Sequence, residues 1–247
     1  GDTLILGTST STDYADTYFC SIIGSGGPIS TEVRRKWIVP TAGTLKNLYI
    51  ALIGSPGADT TVTFTARLNG VNSGSPANLA VAISGTDKTG NDTTNTIAVA
   101  AGDVISVIIN YTTGAPTART FRIGMTFHPD SHGEFCSFAC TDNALHTTTT
   151  EYGKINTSVD ILTATETAQR QLGDASICKA IYARVATAAG ADNTWTFNLQ
   201  VNGANGVGGN AASCAISGAS AVICNSNSSP SNITIAAGDL LDYRIVP

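Results

Sequence analysis

Residues 61–72 read TVTFTARLNGVN and residues 193–205 read NTWTFNLQVNGAN, the same passage offset by 133 positions from Thr61/Thr194 to Asn72/Asn205. In the first copy Val62, Phe64, Ala66 and Leu68 alternate with Thr61, Thr63, Thr65 and Arg67, the period-2 pattern of a strand with one buried face. Asn69-Gly70 closes it with a hairpin dipeptide. The second copy points Trp195, Phe197, Leu199 and Val201 inward and turns at Asn202-Gly203.

The register holds on both sides. Lys46 and Tyr49 align with Lys179 and Tyr182, Gly57-Ala58-Asp59 with Gly190-Ala191-Asp192, and Ile83-Ser84-Gly85 with Ile216-Ser217-Gly218. After three inserted residues, Ala101-Gly102-Asp103 falls on Ala237-Gly238-Asp239. The chain is a tandem duplication. Its 247 residues divide into an N-terminal extension (1–14), a first β-sandwich (15–130) and a second (131–247), each large enough to bury its own core.

The first repeat carries about eight short strands separated by turn signals, with no segment of helical period. This predicts an all-β fold of two tandem, jelly-roll-like sandwiches. The strand at 118–127 presents Phe121, Ile123, Met125 and Phe127 inward and Arg122 outward. On the shared register Pro247 is the counterpart of Tyr111, so the second repeat lacks this final strand. Three readings stay open: the sequence is cut short, the second repeat closes with its own segment 156–167, or a neighbouring subunit donates the strand. In the third, Leu4, Ile5 and Leu6 form the donor, because they precede the first repeat and have no evident place in it. The second repeat is expected to begin near Glu134-Phe135-Cys136-Ser137, echoing Tyr18-Phe19-Cys20-Ser21.

Composition narrows the function classes. Charged residues make up 13%, the net charge is −5 and the pI is near 5.0, so no basic footprint for nucleic acid or an anionic membrane exists. No apolar run reaches the roughly 20 residues of a membrane span. Cys214 and Cys224 bracket AISGASAVI, and a hairpin there would bring them opposite each other as a disulfide; Cys214 aligns with Val81, which equally suits a small buried hydrophobe. His128, His132, Cys136 and Cys140 recur every four residues and are legal zinc ligands, but on an extended strand they stand about 13 Å apart. A solvated linker is the plainer reading. Asp103 and Asp239 read as turn formers, with a surface calcium site open at such turns. No nucleophile elbow or acid–base pair points to an enzyme.

The arrangement NG … ISG … AAGD on Thr-rich strands resembles the jelly-roll structural modules of virions and prokaryotic extracellular fibres. The resemblance implies an extracellular, non-enzymatic structural subunit that partners with copies of itself and needs no cofactor. The alternative is a carbohydrate-binding adhesin or phage fibre-type receptor-binding module, for which the equivalent Tyr49 and Tyr182 would supply the contact surface and calcium would be the one cofactor open to it.

Overall fold

The computed structural model describes residues 2–9, 17–111, 120–132, 134, 137, 139–141, 143–155, 157–160, 162–205, 212–226 and 232–247. The chain is all-β and forms two compact units, Gly1–Cys136 and Ser137–Pro247. Two short 3-10 turns, Glu32–Arg35 and Glu166–Ala168, are its helical content among the described residues. No helix there is long and apolar enough to cross a membrane.

Unit 1 contains β1 (Thr3–Thr8), β2 (Tyr18–Cys20), β3 (Gly24–Ser25), β4 (Trp37–Ile38), β5 (Gly43–Leu52) and β6 (Gly57–Leu68). It continues with β7 (Val71–Asn72), β8 (Ala80–Gly85), β9 (Thr89–Asp92), β10 (Ile97–Val99), β11 (Val104–Tyr111) and β12 (Phe121–Pro129). One sheet runs β10-β5-β12-β1-β3, with β9 also on β5; the other runs β2-β11-β6-β7, with β4 on β11 and β8 on β6. Most pairs are antiparallel, and β1–β3 is parallel. The layers form a sandwich whose alternating residues meet inside. From one sheet come Leu45, Leu48, Ile50, Ile123, Met125 and Phe127, and from the other Val62, Phe64, Val107 and Ile109, all 3% exposed or less. Phe64 of β6 meets Phe121 of β12 edge-on at 5.0 Å between ring centroids, a favoured aromatic geometry across the sandwich.

Unit 2 contains β13 (Ala139–Thr141), β14 (Glu151–Gly153), β15 (Thr157–Asp160), β16 (Gln171–Leu172), β17 (Ser176–Cys178) and β18 (Tyr182–Arg184). After these come β19 (Gly190–Val201), β20 (Ala204–Asn205), β21 (Ser213–Gly218), β22 (Ile223–Asn225), β23 (Ile233–Ile235) and β24 (Leu240–Val246). Its six-stranded sheet, β14-β24-β19-β20 with β16 on β24 and β21 on β19, repeats the second sheet of unit 1 strand for strand. The other layer consists of three separate pairs, β17–β23, β18–β22 and β13–β15.

The turns repeat down to single hydrogen bonds. Asn69 (φ 53°) and Gly70 (φ 85°) match Asn202 (φ 53°) and Gly203 (φ 83°), the left-handed pair that a two-residue hairpin demands. Asn69 Nδ2 donates to Asp103 Oδ1 at 2.8 Å, and Asn202 Nδ2 to Asp239 Oδ1 at 2.7 Å. The other oxygen of each Asp accepts the backbone N–H three residues upstream, of Ala100 or Ala236. Each Asn oxygen accepts the N–H of Val104 or Leu240, which opens the next long strand. Asp103 and Asp239 are thus turn clasps.

Three sequence expectations are corrected. Residues 1–14 do not stand wholly outside the first repeat: Thr3 to Thr8 pair with β12 over six positions, from Thr3↔Phe127 to Thr8↔Arg122. The counterpart of Tyr18-Phe19-Cys20 is β14, not residues 134–136. Glu151 pairs with Ile245 where Tyr18 pairs with Ile109, and the bridge Phe19↔Ile29 recurs as Tyr152↔Thr163. Nor is segment 156–167 an extra closing piece. Its β15 lies parallel to β13 as β3 lies parallel to β1, so it fills a place that unit 1 also has.

Candidate functional site

In unit 1, β5 is an interior strand. One edge holds β9 and β10, and the other holds β12 from Phe121↔Leu52 to Pro129↔Gly43. Its inward residues are sealed accordingly: Leu45 1%, Leu48 0%, Ile50 2% and Leu52 7% exposed. The unit 2 counterparts, 133 positions on, are Cys178, Ile181, Ala183 and Val185 on and beside β17 and β18. All four are only half-buried. β17 and β18 hold β23 and β22 on one edge, and among the described residues no strand pairs with the other. β13, the counterpart of β1, pairs with β15.

The facing layer shows the same deficit. Trp195 and Phe197 of β19 are half-buried, whereas Val62 and Phe64 of β6 are 3% and 1% exposed. Phe64 has Phe121 of β12 against its ring, and nothing from a β12 counterpart covers Phe197 among the described residues. Unit 2 keeps a core of Leu199, Val201, Ala212, Ile233, Ile235 and Leu241. Beside it lies a strip of half-buried side chains, with no strand on one edge among the described residues.

Leu4 and Leu6 are 67% and 58% exposed, while Ile5 between them is 1% exposed. The start of β1 is tied down by Asp2, whose carboxylate faces Lys46 Nζ at 3.2 Å and accepts from His128 Nδ1. These partners, His128 first, hold the Asp2 carboxyl below its usual range. His128, on β12, is therefore a hydrogen-bond partner of Asp2, and His132 is solvent-exposed. Cys136 and the side chain of Cys140 lie outside the described residues. Among those described, no three His, Cys, Asp or Glu side chains gather as a metal-ligand set.

Cys214 and Cys224 form a disulfide with Cα atoms 5.6 Å apart. It ties β21 to β22, and so links the six-stranded sheet to the β18–β22 pair. Ala183 pairs with Cys224 where Ile50 pairs with Gly90, so the unit 1 counterparts of the two cysteines are Val81 and Gly90. A Cβ on Gly90 would stand 2.6 Å from Val81 Cγ1. One unit fills this spot with a covalent bond and the other with a valine methyl over glycine. Tyr49 is 51% exposed on the outer face of β5, and Tyr182 on β18 is half-buried.

One cluster escaped the sequence reading. In unit 1, Glu32 accepts from Arg67 Nε and Ser106 Oγ, both at 2.8 Å, with Lys36 Nζ at 3.7 Å. The equivalent quartet is Glu166, Gln200, Asp242 and Arg170. Arg170 Nη2 reaches Glu166 Oε1 at 2.8 Å and its Nε stands 4.0 Å from Asp242 Oδ2. Asp242 has 0% exposure, and neither of its oxygens has a hydrogen-bond partner. Burial first, then the Glu166 charge, raises its pKa to about 6, against the pull of Arg170. The signal was in the register: Arg67 becomes Gln200 as Ser106 becomes Asp242, so one cation is lost and one acid gained.

Comparison with protein-family models and with curated proteins finds no match for this chain.

Proposed function

We propose that this chain is a non-enzymatic, self-assembling structural subunit of an extracellular filament or virus particle, joined to its neighbours by strand donation into unit 2. The observation that carries the reading is the half-burial of Cys178, Ile181, Ala183 and Val185, whose unit 1 counterparts are sealed by β12. A duplicated sandwich whose two units cover this layer to different extents is suited to head-to-tail joining, in which the two contact surfaces differ and the chain of contacts need not close. The disulfide accords with an oxidising, extracellular setting.

Electron microscopy and light scattering of the purified chain over a range of concentrations test this. Regular polymers are expected, and a variant lacking residues 1–12 should form none. A chain that stays monodisperse at every concentration would overturn the proposal. The exposure of Tyr49 favours the second reading, a carbohydrate-binding module. Glycan-array binding that disappears in Tyr49→Ala would then identify it.

A further inference from the structure

The outer face of the first sheet of unit 1 carries four positions in one row: Leu6 on β1, Gly124 on β12, Tyr49 on β5 and Asn91 on β9. The next row on the same face is Thr8, Arg122, Ala51 and Thr89. Gly124 is the floor of a trough. A Cβ built there would stand 3.7 Å from Leu6 Cδ2 and 4.0 Å from Tyr49 Cβ, so these two side chains are its walls. Leu6 is 58% and Tyr49 51% exposed. Arg122 lies exposed at the end of the trough, and no hydrogen bond or ion pair holds it among the described residues. With Leu6 and Thr8 it also borders a shallow depression that reaches Gly24. The Tyr49↔Asn91 pair recurs in unit 2 as Tyr182↔Asn225, while the row beside it changes from Ala51↔Thr89 to Arg184↔Ile223. Outward side chains add nothing to a core, so folding alone does not account for the pair being kept. Arg184 also places an arginine in the row beside the pair, as Arg122 does in unit 1.

We infer that this trough binds a carboxylated sugar, a hexuronate or sialate residue, with Tyr49 stacked on its ring, Asn91 bonded to its hydroxyls and Arg122 on its carboxylate. This rests on the carbohydrate-binding reading of Tyr49 and names its ligand class. It holds whether or not the chain polymerises. The C–H face of a pyranose is apolar and edged with positive hydrogens, which suits the negative face of a tyrosine ring. The Asn91 amide both donates and accepts, as neighbouring sugar hydroxyls require. Tyr49 and Arg122 are diagonal neighbours on adjacent strands, about 7–8 Å apart at the backbone, and side chains of their length span one sugar ring. A guanidinium holds a carboxylate through two parallel N–H bonds. On a chain of net charge −5, an arginine without a partner selects for an anion. A peptide fits less well. β12 is paired on both edges, so it offers no backbone for strand addition. The two rows cover roughly 14 Å by 7 Å, against about 800 Å² on each side of a stable protein interface.

The test titrates methyl β-D-glucuronide and N-acetylneuraminic acid into the full chain, beside the neutral methyl β-D-glucoside, and follows amide shifts by NMR. Saturable shifts at Asn91, Gly124 and Arg122 are expected with an acidic sugar. The glucoside, with a hydroxymethyl group in place of the carboxylate, should bind about tenfold more weakly than the glucuronide. Arg122→Gln should erase that preference and leave the weak binding, and Tyr49→Ala should abolish both. Gly124→Val fills the floor at a strand position whose Cβ makes only ordinary contacts. It should fold as the parent does, by circular dichroism and melting temperature, and bind none of the three sugars. If the glucoside binds as tightly as the glucuronide, or Arg122→Gln leaves the preference intact, the inference falls while the carbohydrate reading stands. A diglutamate peptide that shifts the same amides at lower concentration than either acidic sugar would replace the sugar with an acidic peptide. If neither acidic sugar binds, the inference falls, and a glycan array without Tyr49-dependent binding takes the carbohydrate reading with it.

Discussion

Asp242 sets a pH dependence that belongs to one residue. Its folded-state pKa of about 6 lies above the ordinary 3.8, so the folded chain holds this proton more tightly than the unfolded chain does. The resulting stabilisation is complete below about pH 3.8 and is lost as the pH rises through about 6. Thermal unfolding of unit 2, followed by amide exchange in β19 and β24, should therefore occur at lower temperature at pH 7 than at pH 5. In Asp242→Asn the difference should vanish; a slope equal to the parent's would show that another group carries it. A second prediction concerns the Val81 and Gly90 pair. Val81→Cys/Gly90→Cys should form a disulfide in unit 1, visible by mass spectrometry as two lost hydrogens. It should stabilise the unit by roughly 2 kcal/mol under oxidising conditions only. Replacing Cys214 by Val and Cys224 by Gly should cost unit 2 a similar amount.

At the scale of elements, the Asn-Gly turn and its Asp clasp hold the end of one long strand to the start of another. Asn202→Ala loses the bonds to Asp239 and to the Leu240 N–H and places alanine at φ 53°. It should destabilise unit 2 by about 2–3 kcal/mol in urea titration, and Asn202→Gly, which keeps the backbone geometry, by about 1–2 kcal/mol. This motif was legible in the sequence because its chemistry is local, and so was β6, because alternation over a dozen residues has one interpretation. β1 and β14 were not legible. Each is at most six residues long, and its partners lie far away: Thr3 pairs with Phe127 and Glu151 with Ile245. No periodicity inside LIL or EYG states which edge they will join. The early offset also drifts from 133 at Tyr152 to 134 at Thr163, so a resemblance at 134–137 looked better than the true one. The disulfide was readable as a hairpin pair, but its link between two sheets was not.

For the whole molecule, the two units share one plan and differ in closure. Hydrogen exchange on the single chain should show the difference directly. Amides of β5 should exchange roughly a hundredfold more slowly than those of β17 and β18, whose strip is only half-buried. Equal protection would mean that unit 2 is sealed by some other route. The six ladder pairs between β1 and β12, with the Asp2 tether at their end, also have a consequence in time. Under the proposed strand donation, a seated β1 must come loose before it can be given away, so local opening of unit 1 becomes the slow step of joining. Growth on added seeds should still be limited by this opening, because every incoming chain must release its own strand. Its rate should level off at high protein concentration, where waiting for release outlasts the search for a neighbour. Weakening the tether with Asp2→Asn should raise that plateau without changing the length of the final polymers.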